Sequence, residues 1–322
     1  MKNKKVCVIG LGYIGLPTAA LLANRGYNVH GVDIVQETVN TINKGDIHIV
    51  EPKLDIYVKE AVNDGKLKAS ITPCEADIFI IAVPTPLNND RSANISFVLQ
   101  AAKSIIPYIN EETIVILEST SPVGTTKKIE KLFIDHNIQM SKLFLAYCPE
   151  RVLPGKIIQE LVENDRIVGG ISKDATNKVI EFYKTFVEGK IFGTECKIAE
   201  LAKLSENAFR DTNIAFANEI SMICDKLNIN VKELISLTNR HPRVNILNPG
   251  VGVGGHCIAV DPWFIIETSK KESTLIKTAR EVNLFKTQWV IEKIENNALK
   301  FELKYQKKPT ISCLGLAYKA DI

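Results

Sequence analysis

The chain has 322 residues, 45% hydrophobic and 24% charged, a globular composition large enough for two domains that excludes a disordered or fibrous protein. Its 40 basic and 37 acidic residues leave a formal charge of +3, which excludes a basic footprint for nucleic acid, so any bound anion must be held by local groups. No run approaches the ~20 apolar residues of a membrane span, and the basic start leads directly into a strand rather than a secretory leader.

The first apolar run, Val6-Cys7-Val8-Ile9, ends in glycine as a buried parallel strand does. A helix over 14–25 and a second strand over 28–33 follow. Further buried strands are predicted at 78–83, 113–119 and 143–147, with a helix over 96–106 between them. Strands alternating with helices give an α/β, doubly wound parallel sheet of Rossmann type, assigned to residues 1–193. Helical periodicity then takes over at 198–227, 230–237 and 273–303, so residues 194–305 form an all-helical central domain. Its last helix would run ~45 Å, a length suited to linking domains or to a dimer interface. Past Pro309, the run over 310–315 reads as another strand ending in glycine. Residues 306–322 are therefore expected to open a third α/β domain, truncated after its first strand and turn.

The chemistry begins at Gly10-Leu11-Gly12-Tyr13-Ile14-Gly15, a G-x-G-x-x-G turn set between a strand and a helix. Gly10 permits the tight turn, Gly12 lets backbone approach a pyrophosphate, and Gly15 lets helix and strand pack closely, with the helix N-terminus facing the phosphates. Asp33 ends the second strand, where its carboxylate can accept hydrogen bonds from ribose hydroxyls and would repel a 2′-phosphate, which favours NAD over NADP. The segments Val83-Pro84-Thr85-Pro86 and Ser119-Thr120-Ser121-Pro122 follow sheet strands and so lie at the carboxyl edge, where ligands sit.

Seven cysteines, an odd number without C-x-x-C spacing, fit neither a disulfide framework nor a zinc site and indicate a reducing cytoplasm. Six of them, Cys7, Cys74, Cys148, Cys196, Cys224 and Cys313, are expected to be buried core thiols. Cys257 differs. It follows a segment with four glycines in six residues, read as a loop whose N–H groups close around a ligand, and Asp261 stands four residues on. That pattern suits a nucleophile beside an acid–base group, its thiol activated by a nearby lysine. His256 invites a Cys–His dyad, but neighbouring side chains on an extended loop point apart. Lys203, Asn207 and Arg210 stand at i, i+4 and i+7 of a predicted helix, so they share one face and could aim an ammonium and an amide at one developing charge.

Together these motifs resemble the UDP-glucose/GDP-mannose dehydrogenase family, and within it most closely the UDP-N-acetyl-D-mannosamine dehydrogenases. The match is carried by Cys148-Pro149-Glu150-Arg151-Val152-Leu153-Pro154-Gly155, Glu206-Asn207-Ala208-Phe209-Arg210-Asp211, and His241-Pro242-Arg243-Val244-Asn245 running on to Gly255-His256-Cys257-Ile258-Ala259-Val260-Asp261-Pro262-Trp263. The resemblance implies a four-electron oxidation of the C6 alcohol of a UDP-sugar by two NAD⁺, with Cys257 forming a thiohemiacetal and then a thioester. It implies Lys203 as acid–base and oxyanion group assisted by Asn207, with Asp261 and Glu150 handling protons and water. Gly10, Gly12, Tyr13, Ile14, Gly15, Asp33, Thr85 and Thr120 would contact the cofactor. Arg151, Val152, Lys203, Asn207, Arg210, His241, Arg243, Gly254 and Lys319 would hold the substrate. A homodimer through the helical domain is implied as well. Alternatives left open are another UDP-sugar (UDP-GlcNAc, UDP-GalNAc or UDP-glucose), a single-hydride dehydrogenase of similar layout, and a chain that binds NAD without turnover.

Overall fold

The structure, a computed structural model, describes residues 4–315 apart from the side chain of His256. The chain divides into two compact units between Lys203 and Leu204.

The first unit contains β1 (Lys5–Ile9), α1 (Gly15–Asn24), β2 (Asn28–Val32), α2 (Gln36–Asn43), α3 (Leu54–Asn63), β3 (Leu67–Ser70), β4 (Ile78–Ile81), α4 (Ser96–Ile105), β5 (Thr113–Leu117), α5 (Thr125–Asp135), β6 (Leu143–Tyr147), α6 (Ile157–Glu163), β7 (Arg166–Gly170), α7 (Lys173–Tyr183) and β8 (Ile191–Glu195). The eight strands form one sheet in the order β3-β2-β1-β4-β5-β6-β7-β8. Every neighbouring pair is parallel except β6 with β7. In register, Val6 lies opposite Val29 on one side and Ile78 on the other. Because strand side chains alternate, Val6, Val8, Ile78, Ile80, Ile114 and Ile116 enter one core and Cys7, Ile9, Phe79, Ile81, Val115 and Leu117 the other. Burial on both faces explains why these strands read as unbroken apolar runs rather than alternating ones. The strands expected at 78–83 and 113–119 each end two residues earlier, where the chain leaves the ladder for the loops at the sheet's carboxyl edge.

The strand order reverses between β1 and β4, so the loops after these strands and after β5 border the switch point where doubly wound sheets bind ligands.

The division between the units falls inside α8 (Cys196–Leu227), a continuous helix of 32 residues. Its opening turns belong with the sheet. Glu200 is buried and accepts hydrogen bonds from the Gly124 and Thr126 N–H groups and the Thr126 hydroxyl at 2.6–2.8 Å, capping the N-terminus of α5. The second unit continues with α9 (Val231–Thr238), capped by the Asn230 side chain, α10 (His256–Thr268) and α11 (Thr274–Tyr305). No described helix is long and apolar enough to cross a membrane.

Two expectations are corrected. Residues 310–315 form no strand, because a strand exists through its ladder and no described neighbour pairs with them. Of the six cysteines expected in cores, Cys7, Cys148, Cys196 and Cys224 are buried, but Cys313 is exposed and Cys74 half-buried. Cys74 shares a thiol hydrogen bond with Cys7, which lowers its pKa.

Candidate active site

The glycine turn between β1 and α1 has the geometry its sequence called for. Gly10 has φ +91°, in the left-handed region, and a Cβ there would lie 2.7 Å from the Ala82 carbonyl oxygen. A Cβ on Gly15 would lie 1.7 Å from the Gly10 carbonyl oxygen, so helix and turn approach as closely as only glycine permits. Gly12 and Tyr13 are exposed, Ile14 is half-buried, and nothing lies within 4 Å of where a Gly12 Cβ would stand. α1 has no side-chain cap and no acidic residue in its first turn, which leaves its N-terminus open to an anion. Asp33 follows β2 directly and is tied to this turn. Its Oδ2 accepts the Leu11 N–H at 3.0 Å and its Oδ1 the Val35 N–H at 3.0 Å. Each oxygen keeps a lone pair for further donors.

Thr85 and Thr120, from the loops after β4 and β5, are brought together: the Thr85 hydroxyl donates to the Thr120 carbonyl oxygen at 2.6 Å. Glu150, just past β6, is buried with both oxygens engaged. Oε1 accepts the Arg151 N–H at 2.7 Å, and Oε2 accepts Arg166 Nη1 at 2.7 Å. Arg166 also donates Nη2 to the Leu161 carbonyl oxygen at 3.0 Å, and its guanidinium lies 4.9 Å from the Tyr183 ring centre. The Tyr183 hydroxyl donates to Glu118 Oε1 at 2.7 Å. Glu118 is pushed up to about 7, first by burial and then by the neighbouring Glu150 charge. Burial likewise pushes the Cys148 thiol up to about 12. Sequence reading found Glu150 but missed Glu118, Arg166 and Tyr183, which reach it from β5, β7 and α7. Arg151 and Val152 are half-buried. The Arg151 guanidinium donates to the Asp165 carbonyl oxygen at 3.2 Å, and Val152 packs against the core.

The second unit corrects the reading of the cysteine segment. Cys257 is not on an extended loop but is the second residue of α10, exposed and reduced. Gly255, at φ +80°, turns the chain into the helix, and the N–H groups and dipole at a helix N-terminus favour a thiolate. His256 opens α10 rather than lying on an extended backbone, and its side chain lies outside the described residues. Asp261, four residues after Cys257, is one helical turn further along the same face. It is buried, and Asn207 Nδ2 donates to its Oδ2 at 2.6 Å. α8 carries Lys203, Asn207 and Arg210 as expected, half-buried, buried and exposed respectively.

The glycine segment before Cys257 is anchored by residues that sequence reading missed. Gly250 N–H donates to Asn218 Oδ1 at 2.9 Å, Asn218 Nδ2 to Asn283 Oδ1 at 2.8 Å, and Asn283 Nδ2 to Asp211 Oδ1 at 2.8 Å. Arg280 closes the chain with a 2.6 Å bond to the same Asp211 oxygen, although burial still raises the Asp211 carboxyl above its ordinary value. His241 and Arg243 are exposed, with Gly254 half-buried. The segment holding the first two is pinned by Asn239, which bonds the Ile246 N–H at 2.7 Å and its carbonyl at 3.0 Å. Lys319 lies outside the described residues.

Comparison with known proteins accords with this layout. Residues 4–187 match the NAD-binding domain of the UDP-glucose/GDP-mannose dehydrogenase family, and residues 197–284 match its central domain. A Campylobacter jejuni protein named UDP-N-acetyl-D-mannosamine dehydrogenase is 56% identical, over 99% of this chain and 79% of its own length. A Ralstonia nicotianae protein named NDP-N-acetyl-D-galactosaminuronic acid dehydrogenase is 50% identical, over 99% of this chain and 76% of its own. The structure of UDP-D-ManNAc dehydrogenase from Pyrococcus horikoshii superposes with a TM-score of 0.89 at 40% identity, covering 98% of this chain and 77% of that one. The chain belongs to the UDP-glucose/GDP-mannose dehydrogenase family and carries that family's NAD-binding domain.

Proposed function

We propose that the chain oxidises the C6 alcohol of UDP-N-acetyl-D-mannosamine to the carboxylate of UDP-N-acetyl-D-mannosaminuronate, with Cys257 as covalent nucleophile. The observation that carries this reading is Cys257 on the first turn of α10 with Asp261 one turn on, buried and hydrogen-bonded by Asn207. The choice of sugar is supported by the names of the Campylobacter and Pyrococcus relatives.

The β1–α1 turn fits the pyrophosphate of NAD: Gly10 makes the turn, Gly12 presents bare backbone and the α1 N-terminus is uncapped. Gly10, Gly12, Tyr13, Ile14 and Gly15 would hold that group, Asp33 the adenosine ribose hydroxyls, and Thr85 and Thr120 the rest of the cofactor. When bound, NAD accepts a hydride in each of the two oxidations. Lys203 takes the proton of the C6 hydroxyl and, with the Asn207 amide, steadies negative charge on that oxygen. The Cys257 thiolate adds to the aldehyde carbon, forming a C–S bond and a thiohemiacetal, whose oxidation leaves a thioester. Water, its proton taken by Asp261 or Glu150, attacks the thioester. The C–S bond breaks, the thiolate returns, and the uronate departs.

Arg151, Val152, Arg210, His241, Arg243 and Gly254, with Lys319, hold the UDP-sugar. Residues 1–193 bind the cofactor, 194–305 supply Cys257 and the dimer contact, and 306–322 open a UDP-sugar-binding domain. A homodimer is supported by exposed apolar side chains along α11, among them Leu284, Phe285, Ile291 and Ile294. The reading is tested by supplying NAD with UDP-ManNAc, UDP-GlcNAc, UDP-GalNAc and UDP-glucose separately and identifying uronates by mass spectrometry. The mannosamine sugar should turn over fastest. Preference for UDP-GalNAc would move the chain towards the Ralstonia relative, and NAD binding without any uronate would defeat the proposal.

A further inference from the structure

We propose that Glu118 is a positioning residue for Glu150: it holds a buried proton that leaves Arg166 committed to Glu150, and on losing that proton it competes for the same guanidinium. The proposal rests on the reading that Glu150 serves the hydrolytic step.

The geometry is a closed cluster of five residues gathered from four segments. Glu118 follows β5, Glu150 and Cys148 follow β6, Arg166 opens β7, and Tyr183 ends α7. Glu118, Glu150 and Arg166 are each less than a tenth exposed. Within it the charges do not balance. Tyr183 and Cys148 are held neutral by burial, so the guanidinium of Arg166 is the cluster's one cation against two carboxyl groups. With both carboxylates ionised, one negative charge would stand uncompensated in a dry interior, which is costly. One proton therefore stays.

Which carboxyl keeps it follows from the donors. Glu150 accepts a backbone N–H and Arg166 Nη1, both of which favour its anion. Glu118 accepts the Tyr183 hydroxyl on Oε1, and its Oε2 has no partner among the described residues. Glu118 therefore keeps the proton, and its carboxyl is raised to about 7. Arg166 Nε is likewise without a partner among the described residues, so the guanidinium has a donor left for Glu118 once that group ionises. Deprotonation would then shift Arg166 from Glu150 towards Glu118 and raise the basicity of Glu150 near neutral pH.

The test uses the 322-residue chain and needs two readouts. In the infrared, the parent should show a protonated-carboxyl C=O stretch that fades as the pH rises through neutrality and is missing in Glu118→Gln. The same band should also be missing in Glu150→Gln, because Arg166 then takes Glu118 as its counter-ion. A merely structural glutamate would give no such exchange. In turnover, the thioester-hydrolysis rate of the parent should change about tenfold through the same pH range, and the Glu118→Gln rate should not. The substrate KM should stay the same in both. A band that persists unchanged in Glu118→Gln overturns the proposal. Undiminished hydrolysis in Glu150→Gln, with the band shifts as stated, instead overturns the role given to Glu150.

Discussion

Asn207 and Asp261, 54 positions apart in sequence, meet in a buried 2.6 Å hydrogen bond that ties α8 to the helix bearing Cys257. Asp261 is buried, so removing this donor takes a hydrogen bond from an acceptor held in the interior. Asn207→Ala should cost about 1–3 kcal/mol in urea unfolding and lower kcat by about 10²–10⁴, the range of a positioned proton-transfer group. Asn207→Asp should be worse at neutral pH, since it sets two carboxylates against each other. An Asn207→Ala chain of unchanged stability and kcat would show the bond to be incidental.

Asp33 sits at the end of β2 with the Leu11 and Val35 N–H groups fixing its direction. Replacing it by Asn keeps the shape and removes the charge. Asp33→Asn should narrow the NAD-over-NADP preference by tenfold or more, about 1.4 kcal/mol, read as the ratio of dissociation constants by fluorescence titration. No change in that ratio would remove Asp33 from the ribose site.

Stability should depend on pH through Glu118. An unfolded glutamate releases its proton near 4.5, whereas the folded group, raised by burial, keeps it to about 7. Between those values the folded state binds more protons, so the stability present below this window is lost as the pH rises through it, by about 3 kcal/mol. Urea unfolding of the parent and of Glu118→Gln on either side of the window isolates this contribution from other carboxyls. The parent should lose ground to the variant as the pH rises, and parallel pH profiles would contradict the assignment.

The apolar side chains exposed on α11 predict an oligomer. A stable dimer typically buries about 1,200–2,000 Å² in total, and a charge placed within such a patch is left unpaired when the patch is covered. The parent should sediment as a dimer and Ile294→Asp as a monomer at the same concentration. A monomeric parent would leave the α11 face without this role.

Much of this architecture was legible in the sequence. The strands flanking Gly10 and Asp33 announce themselves because burial on both faces forces unbroken apolar runs, and the glycine turn follows from local conformational need. α10 was not legible. A glycine-rich approach, β-branched Ile258 and Val260, and Pro262 within the segment all argue locally against a helix. Burial of Ile258, Trp263, Phe264 and Ile265 supplies what local propensity lacks. The relay from Asp211 through Asn283 and Asn218 to Gly250, and the meeting of Glu118, Arg166 and Glu150, join residues far apart in sequence. No local pattern encodes such contacts, and only the completed fold creates them.

If Cys257 carries the second oxidation covalently, the count of products must show it. With UDP-ManNAc and NAD in excess, NADH and uronate should form in a ratio of two to one in the parent, while Cys257→Ser should yield little or no uronate. A Cys257→Ser chain that keeps full uronate output would contradict the account.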